Sequence, residues 1–237
     1  MKRVFRVQWL MLSIAILLTA CKAPPTPTVV PSALPPATPT SAPTATLSPG
    51  PRPISFTTPD GATVSGELYG ASDTGVIFSV MGNCKLGWPE LAEEVAEQGM
   101  MALTYQWRGC QGGAIDNALM RKFLDDTRGA INFAREQGAT RIILVGASLG
   151  GCASAKLTVE SGAAGLVVVA APDEISQWGF QIDAADLDAD VPKLFITAEN
   201  DPTVPATATR KLYDLGASLQ LRAQAFQQVF YAANGNV

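Results

Sequence analysis

From Ile54 to Leu215 short apolar runs alternate with amphipathic stretches of helical period, a rhythm that few architectures accommodate. Thr74–Val80 (TGVIFSV), Met101–Trp107, Arg141–Val145, Gly165–Ala170 and Lys193–Ala198 are nearly continuous apolar segments. Such segments mark strands buried on both faces rather than one. Between them, Pro89–Gln98 (PELAEEVAEQ) is an amphipathic helix with Pro at its start and Gly99 just past its end. Asn117–Gln137 reads as one long helix, with Leu119, Phe123, Ile131 and Phe133 supplying apolar contacts. Its mid-helix Asp125 and Asp126 are expected on the solvated surface. Further helices are expected from Ser148 and over Ala206–Leu215. Ahead of these, Ile54–Thr58 and Ala62–Tyr69 read as a hairpin joined by Pro59-Asp60-Gly61. The expected fold class is α/β: a mostly parallel, doubly wound sheet with its site at the carboxyl ends of the strands.

The residues before Ile54 are of a different kind. Lys2, Arg3 and Arg6 form a positive region, followed by the apolar run Val7–Ala20, which is short for a bilayer span and has the layout of a secretory signal. Leu18-Thr19-Ala20-Cys21 resembles the bacterial lipoprotein signal, which implies that residues 1–20 are removed and Cys21 is lipidated. Residues 21–53 are rich in Pro, Thr and Ala and favour extended polyproline II, the composition of a spacer. The folded domain is expected over residues 54–237, attached by its lipid to the extracytoplasmic side of a bacterial cell membrane.

Charge narrows the chemistry further. With 17 Lys+Arg against 21 Asp+Glu the chain carries a formal charge of −4, which argues against a nucleic-acid partner. The 237 residues contain no histidine, which removes His-based metal sites and the commonest general base. No metal or cofactor is expected.

The strongest motif is Gly146-Ala147-Ser148-Leu149-Gly150, a G-x-S-x-G placed between the strand RIILV and a helix rich in small residues. A sharp strand-to-helix turn strains the serine backbone, and small residues two before and two after avoid collision. The serine hydroxyl is then thrust above the sheet, with the Leu149 N–H and the helix N-terminus aimed at a developing oxyanion.

On these residues the chain resembles the α/β-hydrolase superfamily from about Ile54 to Leu215. Val76–Gly82 (VIFSVMG) matches an apolar run that relatives often close with His-Gly, Met81 standing in the place of the His. Gln106-Trp107-Arg108-Gly109 is similar to the opening of the family's D-x-R-G-x-G turn, with Gln106 where Asp is usual and the second Gly one residue late, at Gly112. The resemblance implies Ser148 as nucleophile and Gly146 and Gly150 as the elbow glycines. It also implies oxyanion donors at the N–H groups of Leu149 and Asn83, with Gly82 as the small neighbour of Asn83. Asn83 can equally be a loop residue satisfying its own turn. The segment Leu194–Pro205 is similar to the one that delivers the triad acid, and places that role on Asp201; the alternative is a helix cap or an Asp-Pro turn. Glu199 is a poorer candidate, and Asp173 lies at the family's other acid location.

The family's base is a histidine after strand 8, and this sequence supplies none. Ser218–Phe226 could be strand 8, while Gln227–Val237 shows no helical face, so the fold is expected to be incomplete at its C-terminal end. Either the base has been lost or the last residues are a truncated or frame-shifted readout. Cys84 and Cys110 fall in loops after neighbouring strands of the resembled fold, which implies a possible disulfide; Cys152 reads as a small buried residue. The segment Asp173–Val191 is too short for a large lid. The expected activity is acyl transfer from a small-molecule ester to water. The alternatives are a non-catalytic binding module on the same fold and a truncated gene product.

Overall fold

The computed structural model describes residues 50–85, 87–111, 115–218 and 226–231. The expected signal, Cys21 and nearly all of the linker lie outside the described residues. The chain order is β1 (Arg52–Thr57), β2 (Thr63–Tyr69), β3 (Thr74–Ser79), α1 (Pro89–Glu97), β4 (Met101–Tyr105), α2 (Asn117–Met120) and α3 (Phe123–Glu136). It continues through β5 (Arg141–Ala147), α4 (Leu149–Lys156), β6 (Gly165–Val169), the two-residue strands β7 (Glu174–Ile175) and β8 (Phe180–Gln181), β9 (Lys193–Ala198), α5 (Ala206–Ser218) and β10 (Phe226–Tyr231).

Eight strands form one sheet in the order β1-β2-β4-β3-β5-β6-β9-β10, and β2 alone runs against the rest. Alternate side chains of the parallel strands enter two apolar clusters, as residues two apart along a strand share a face. Val76, Phe78 and Ala102 pack with Ala92 and Ala96 of α1 on one side. Ile77, Leu103, Leu144, Val168 and Phe195 pack on the other with Phe123 and Ile131 of α3, Cys152 and Ala153 of α4, and Leu212 of α5. Helices thus cover both faces, which is the doubly wound arrangement expected from the continuous apolar runs.

Several boundaries differ from the sequence expectation, each for a local reason. The first strand opens at Arg52 and includes Pro53, which an edge strand tolerates because its missing N–H is not needed on the solvent side. The fourth strand stops at Tyr105, two residues before the expected Trp107, because the chain turns there into a 3₁₀ turn over Arg108–Cys110. The single long helix is two. Asp116 caps α2 by accepting from the Ala118 and Leu119 N–H groups, the Lys122 N–H closes a tight turn onto the Leu119 carbonyl, and α3 starts afresh at Phe123. That break lets Met120 and Phe123 both point inward and leaves Leu119 outward at 44% exposure, so the apolar contact expected of Leu119 is absent. The last strand is Phe226–Tyr231 rather than Ser218–Phe226, because α5 continues to Ser218; residues 219–225 lie outside the described residues. The excursion after β6 is a small ribbon, β7 paired with β8, whose Trp178 and Phe180 rings lie 6.0 Å and 5.2 Å from that of Phe123.

Candidate active site

The turn from β5 into α4 has the conformation its sequence demands. Ser148 sits at φ 50°, ψ −120°, a region that costs a residue with a side chain about 1–3 kcal/mol and persists only where its surroundings fix it. Its backbone is held on both sides. The Ser148 N–H donates to the Val169 carbonyl at the end of β6 (2.9 Å), and its carbonyl accepts from the Cys152 N–H (3.0 Å). The Cys152 bond opens the ladder of α4, so the N–H groups of Leu149 and Gly150 belong to the unpaired first turn.

The glycines explain why the turn can be this tight. A Cβ at Gly146 would lie 2.1 Å from the Gly150 carbonyl oxygen, and one at Gly150 would lie 2.1 Å from that of Ser79. Gly151 is equally confined, 2.6 Å from the Ala171 methyl. The helix therefore starts in direct backbone contact with β3 and β5, and any side chain at these points would lift Ser148 off the sheet.

The loop after β3 packs against the same turn. A Cβ at Gly82 would fall 3.3 Å from two atoms of the Leu149 side chain. Gly82 and Asn83 are the central pair of a turn closed by the Cys84 N–H on the Met81 carbonyl (3.3 Å). That closure leaves both central N–H groups out of the turn's own hydrogen bond. The Asn83 side chain accepts from the Lys85 N–H (3.1 Å) and so serves its own loop. Two indoles fix the strand end before this turn: Trp88 Nε1–H donates to the Ser79 carbonyl (3.0 Å), and Trp107 Nε1–H to those of Val80 (3.1 Å) and Met81 (3.3 Å).

The acids stand further off. Asp201 follows β9, two strand spacings or about 10 Å of sheet from β5. Its Oδ1 accepts from the Thr203 (2.8 Å) and Val204 (2.9 Å) N–H groups, shaping the turn into α5. Asp173, at the other acid location, is buried and ion-paired to Lys211, whose ammonium this bond holds above the usual lysine range. Glu199 is exposed. Cys152 is fully buried with its thiol on the Pro172 carbonyl (3.2 Å); burial pushes the thiol up to about 12, which removes it as a nucleophile near neutrality.

Two further features surround the site, a disulfide between the pair for which the resemblance implied one and a buried acid that the sequence had placed on the surface. Cys84 and Cys110 are joined in a disulfide, with their Cα atoms 5.6 Å apart. Asp126, expected on the surface, is 0% exposed. Its carboxylate accepts from Arg108 Nε (2.6 Å) and from the Arg108 backbone N–H (2.9 Å). The other end of that guanidinium forms two 2.7 Å bonds with Asp60 and one of 3.1 Å with Thr58 Oγ1. The two acids respond in opposite directions. The Arg108 and Thr58 hydrogen bonds hold Asp60 well below the usual carboxylate range. Burial raises Asp126 despite its bonds to Arg108, because its side chain is 1% exposed against 31% for Asp60.

No protein-family model and no curated protein sequence matches the chain. Solved structures do. An esterase of Pyrococcus furiosus superposes with a TM-score of 0.64 at 14% identity, over 77% of this chain and 83% of that one. A serine hydrolase of Xanthomonas campestris described as lacking a lid gives 0.58 at 16% identity, over 78% and 84%. A serine hydrolase homologue of Coxiella burnetii gives 0.57 at 18% identity, over 77% and 87%. Sheet order, elbow geometry and these superpositions agree on one conclusion, that the chain has the α/β-hydrolase fold.

Proposed function

We propose that the protein is a serine hydrolase acting on the acyl bond of small-molecule esters. The observation that carries this reading is the strained Ser148 at the β5–α4 turn, held by backbone contacts that leave no room for a side chain at Gly146 or Gly150. Such strain is kept where it exposes a reactive group. Ser148 Oγ attacks the carbonyl, and the negative charge developing on its oxygen is taken by the Leu149 and Asn83 N–H groups, a pairing supported by the packing of Gly82, the neighbour of Asn83, on the Leu149 side chain. Asp201 is the carboxylate that would orient a base and stabilise its cation. The 237 residues hold no histidine to be that base, so the hydroxyl proton must pass to another acceptor and turnover by these residues alone is slow.

The same reading places the domain outside the cytoplasm, tethered through a lipid on Cys21 and the proline-rich stretch behind it. The Cys84–Cys110 disulfide supports an oxidising compartment.

A fluorophosphonate probe tests the chemistry, because it captures an activated serine without a full catalytic cycle. Intact-protein and peptide mass spectrometry should show one adduct, on Ser148, and none in the Ser148→Ala variant. Added imidazole should accelerate labelling of the parent protein and leave Ser148→Ala blank. The lack of histidine favours a second reading, a binding module that keeps the fold without the reaction. A folded sample that stays unlabelled with imidazole present would give that reading first place.

A further inference from the structure

The 3₁₀ turn that follows β4 grips the loop after β3 at both ends. At one end Trp107 Nε1–H binds the carbonyls of Val80 and Met81. At the other, Cys110 is disulfide-bonded to Cys84. Between the two ties lie Gly82 and Asn83 alone, and Gly82 packs so closely on the Leu149 side chain that a Cβ there would lie 3.3 Å from it. Cys84 itself has φ 63°, a left-handed conformation uncommon for a residue with a side chain.

The gripping turn is in turn fixed to the body of the protein. Arg108 sends its guanidinium into Asp60 and Asp126. Gly109 lies so close to Met120 that a Cβ there would come within 2.6 Å of its side chain. Residues 107 and 110 thus hold the loop while residues 108 and 109 hold the turn, and the loop inherits the rigidity of a buried ionic cluster.

We propose that Trp107 and the Cys84–Cys110 pair are positioning residues for the Asn83 N–H, so that the Ser148 site is fully assembled only while the disulfide is closed. The proposal rests on the roles given above to Ser148 and Asn83. None of the three side chains is assigned a contact with substrate; they act through the Gly82–Asn83 turn. An oxyanion donor is effective only when held about 2.7–3.1 Å from the developing charge, and a loop tied at one end loses that preorganisation.

The full chain tests this in three forms: disulfide closed, reduced with a water-soluble phosphine, and as the Cys84→Ser/Cys110→Ser double variant. Reduction adds two electrons and two protons to the S–S bond to give two thiols, while the phosphine becomes its oxide with oxygen from water. Fluorophosphonate labelling at graded concentrations separates the maximal rate from the half-saturating concentration. In the reduced and double-variant forms the maximal rate should fall about tenfold or more, the order expected for a displaced oxyanion donor. The half-saturating concentration should hold within about twofold, and reoxidation should restore the reduced sample. Amide hydrogen exchange gives a second readout: residues 81–85 should exchange faster on reduction while residues 146–152 stay protected. A labelling rate indifferent to the disulfide would overturn the proposal. If Ser148 labels in none of the forms, the hydrolase reading fails, and the exchange data alone judge the clamp. Unchanged exchange at residues 81–85 then overturns it, whereas faster exchange confined there sustains the positioning of the loop.

Discussion

Replacing Gly150 by Ala should cost about 3 kcal/mol or more of folding stability and abolish fluorophosphonate labelling of Ser148 in whatever fraction remains folded. The added Cβ would sit 2.1 Å from the Ser79 carbonyl oxygen, 2.5 Å from its carbon and 2.7 Å from the Val80 carbonyl oxygen. All three are backbone atoms of β3 and its end, so no rotamer change relieves the clash. Either α4 backs away from the sheet or β3 shifts, and both movements carry Ser148 and Leu149 away from Gly82. Gly146→Ala should behave alike, since its Cβ would meet the Gly150 carbonyl oxygen at 2.1 Å. Gly87→Ala is the matched control: its Cβ meets only the Met81 terminal methyl, at 3.6 Å, and its cost should stay within about 0.5 kcal/mol. Urea denaturation read by tryptophan fluorescence gives the three midpoints on one scale. A Gly150→Ala midpoint indistinguishable from that of Gly87→Ala would show that helix and strand do not approach as closely as described.

The elbow was legible because its constraint is local. Five consecutive residues between an apolar strand and a small-residue helix contain the whole steric argument, and no distant partner is required. The parallel strands were legible for a similar reason, since burial on both faces writes itself as an unbroken apolar run such as VIF or GLVVV. The loop partners of the site were less so. Asn83 and Asp201 are each bound up in an Asx-type turn of their own, which the sequence allowed as one alternative and could not separate from a catalytic role.

Asp126 shows where the reading went astray and what signal was present. It lies three residues after Phe123 and four before Ala130, both buried, so its position is on the inward stripe of α3. Taken as a charge it reads as surface; taken by spacing it reads as core. The partner that resolves the conflict, Arg108, is 18 residues away and reaches it only through the fold. The break between α2 and α3 had no such signal, because neither Gly nor Pro marks Arg121-Lys122 and the cause is the seat that Met120 finds beneath Gly109. The final strand was placed early for want of a terminator, although FQQVFY carries the aromatic and β-branched residues that favour strands.

Arg108→Ala should be the most damaging change to any charged residue outside the elbow, with a cost of about 3–5 kcal/mol. The side chain of Arg108 is 8% exposed and that of Asp126 1%, so removal of the guanidinium strands a carboxylate in the core with one backbone N–H as its remaining donor. Arg108→Lys should fall between, because an ammonium on a flexible stem cannot serve two carboxylates with the planar fork that Asp60 and Asp126 share. Pairing Arg108→Ala with Asp126→Asn should recover part of the loss, since the neutral amide removes the unpaired charge. The pH dependence carries a sign that a packing defect would not. In the parent protein Asp60 is depressed, so its contribution is present above the unfolded value near 3.9 and fades as pH falls through its lower folded value. In Arg108→Ala, Asp126 keeps the burial that raises it and loses the bonds that opposed this. Its folded form then binds a proton more readily than the unfolded chain, so the variant is least stable at neutral pH and gains on acidification through that raised value. Asp126 is raised in the parent too and further in the variant, so the stability gap between parent and Arg108→Ala should narrow as pH falls from neutral through the variant's raised value, as measured by urea unfolding. A gap that is constant over this range, or unchanged by adding Asp126→Asn, would mean that the loss is one of packed volume rather than of a compensated charge.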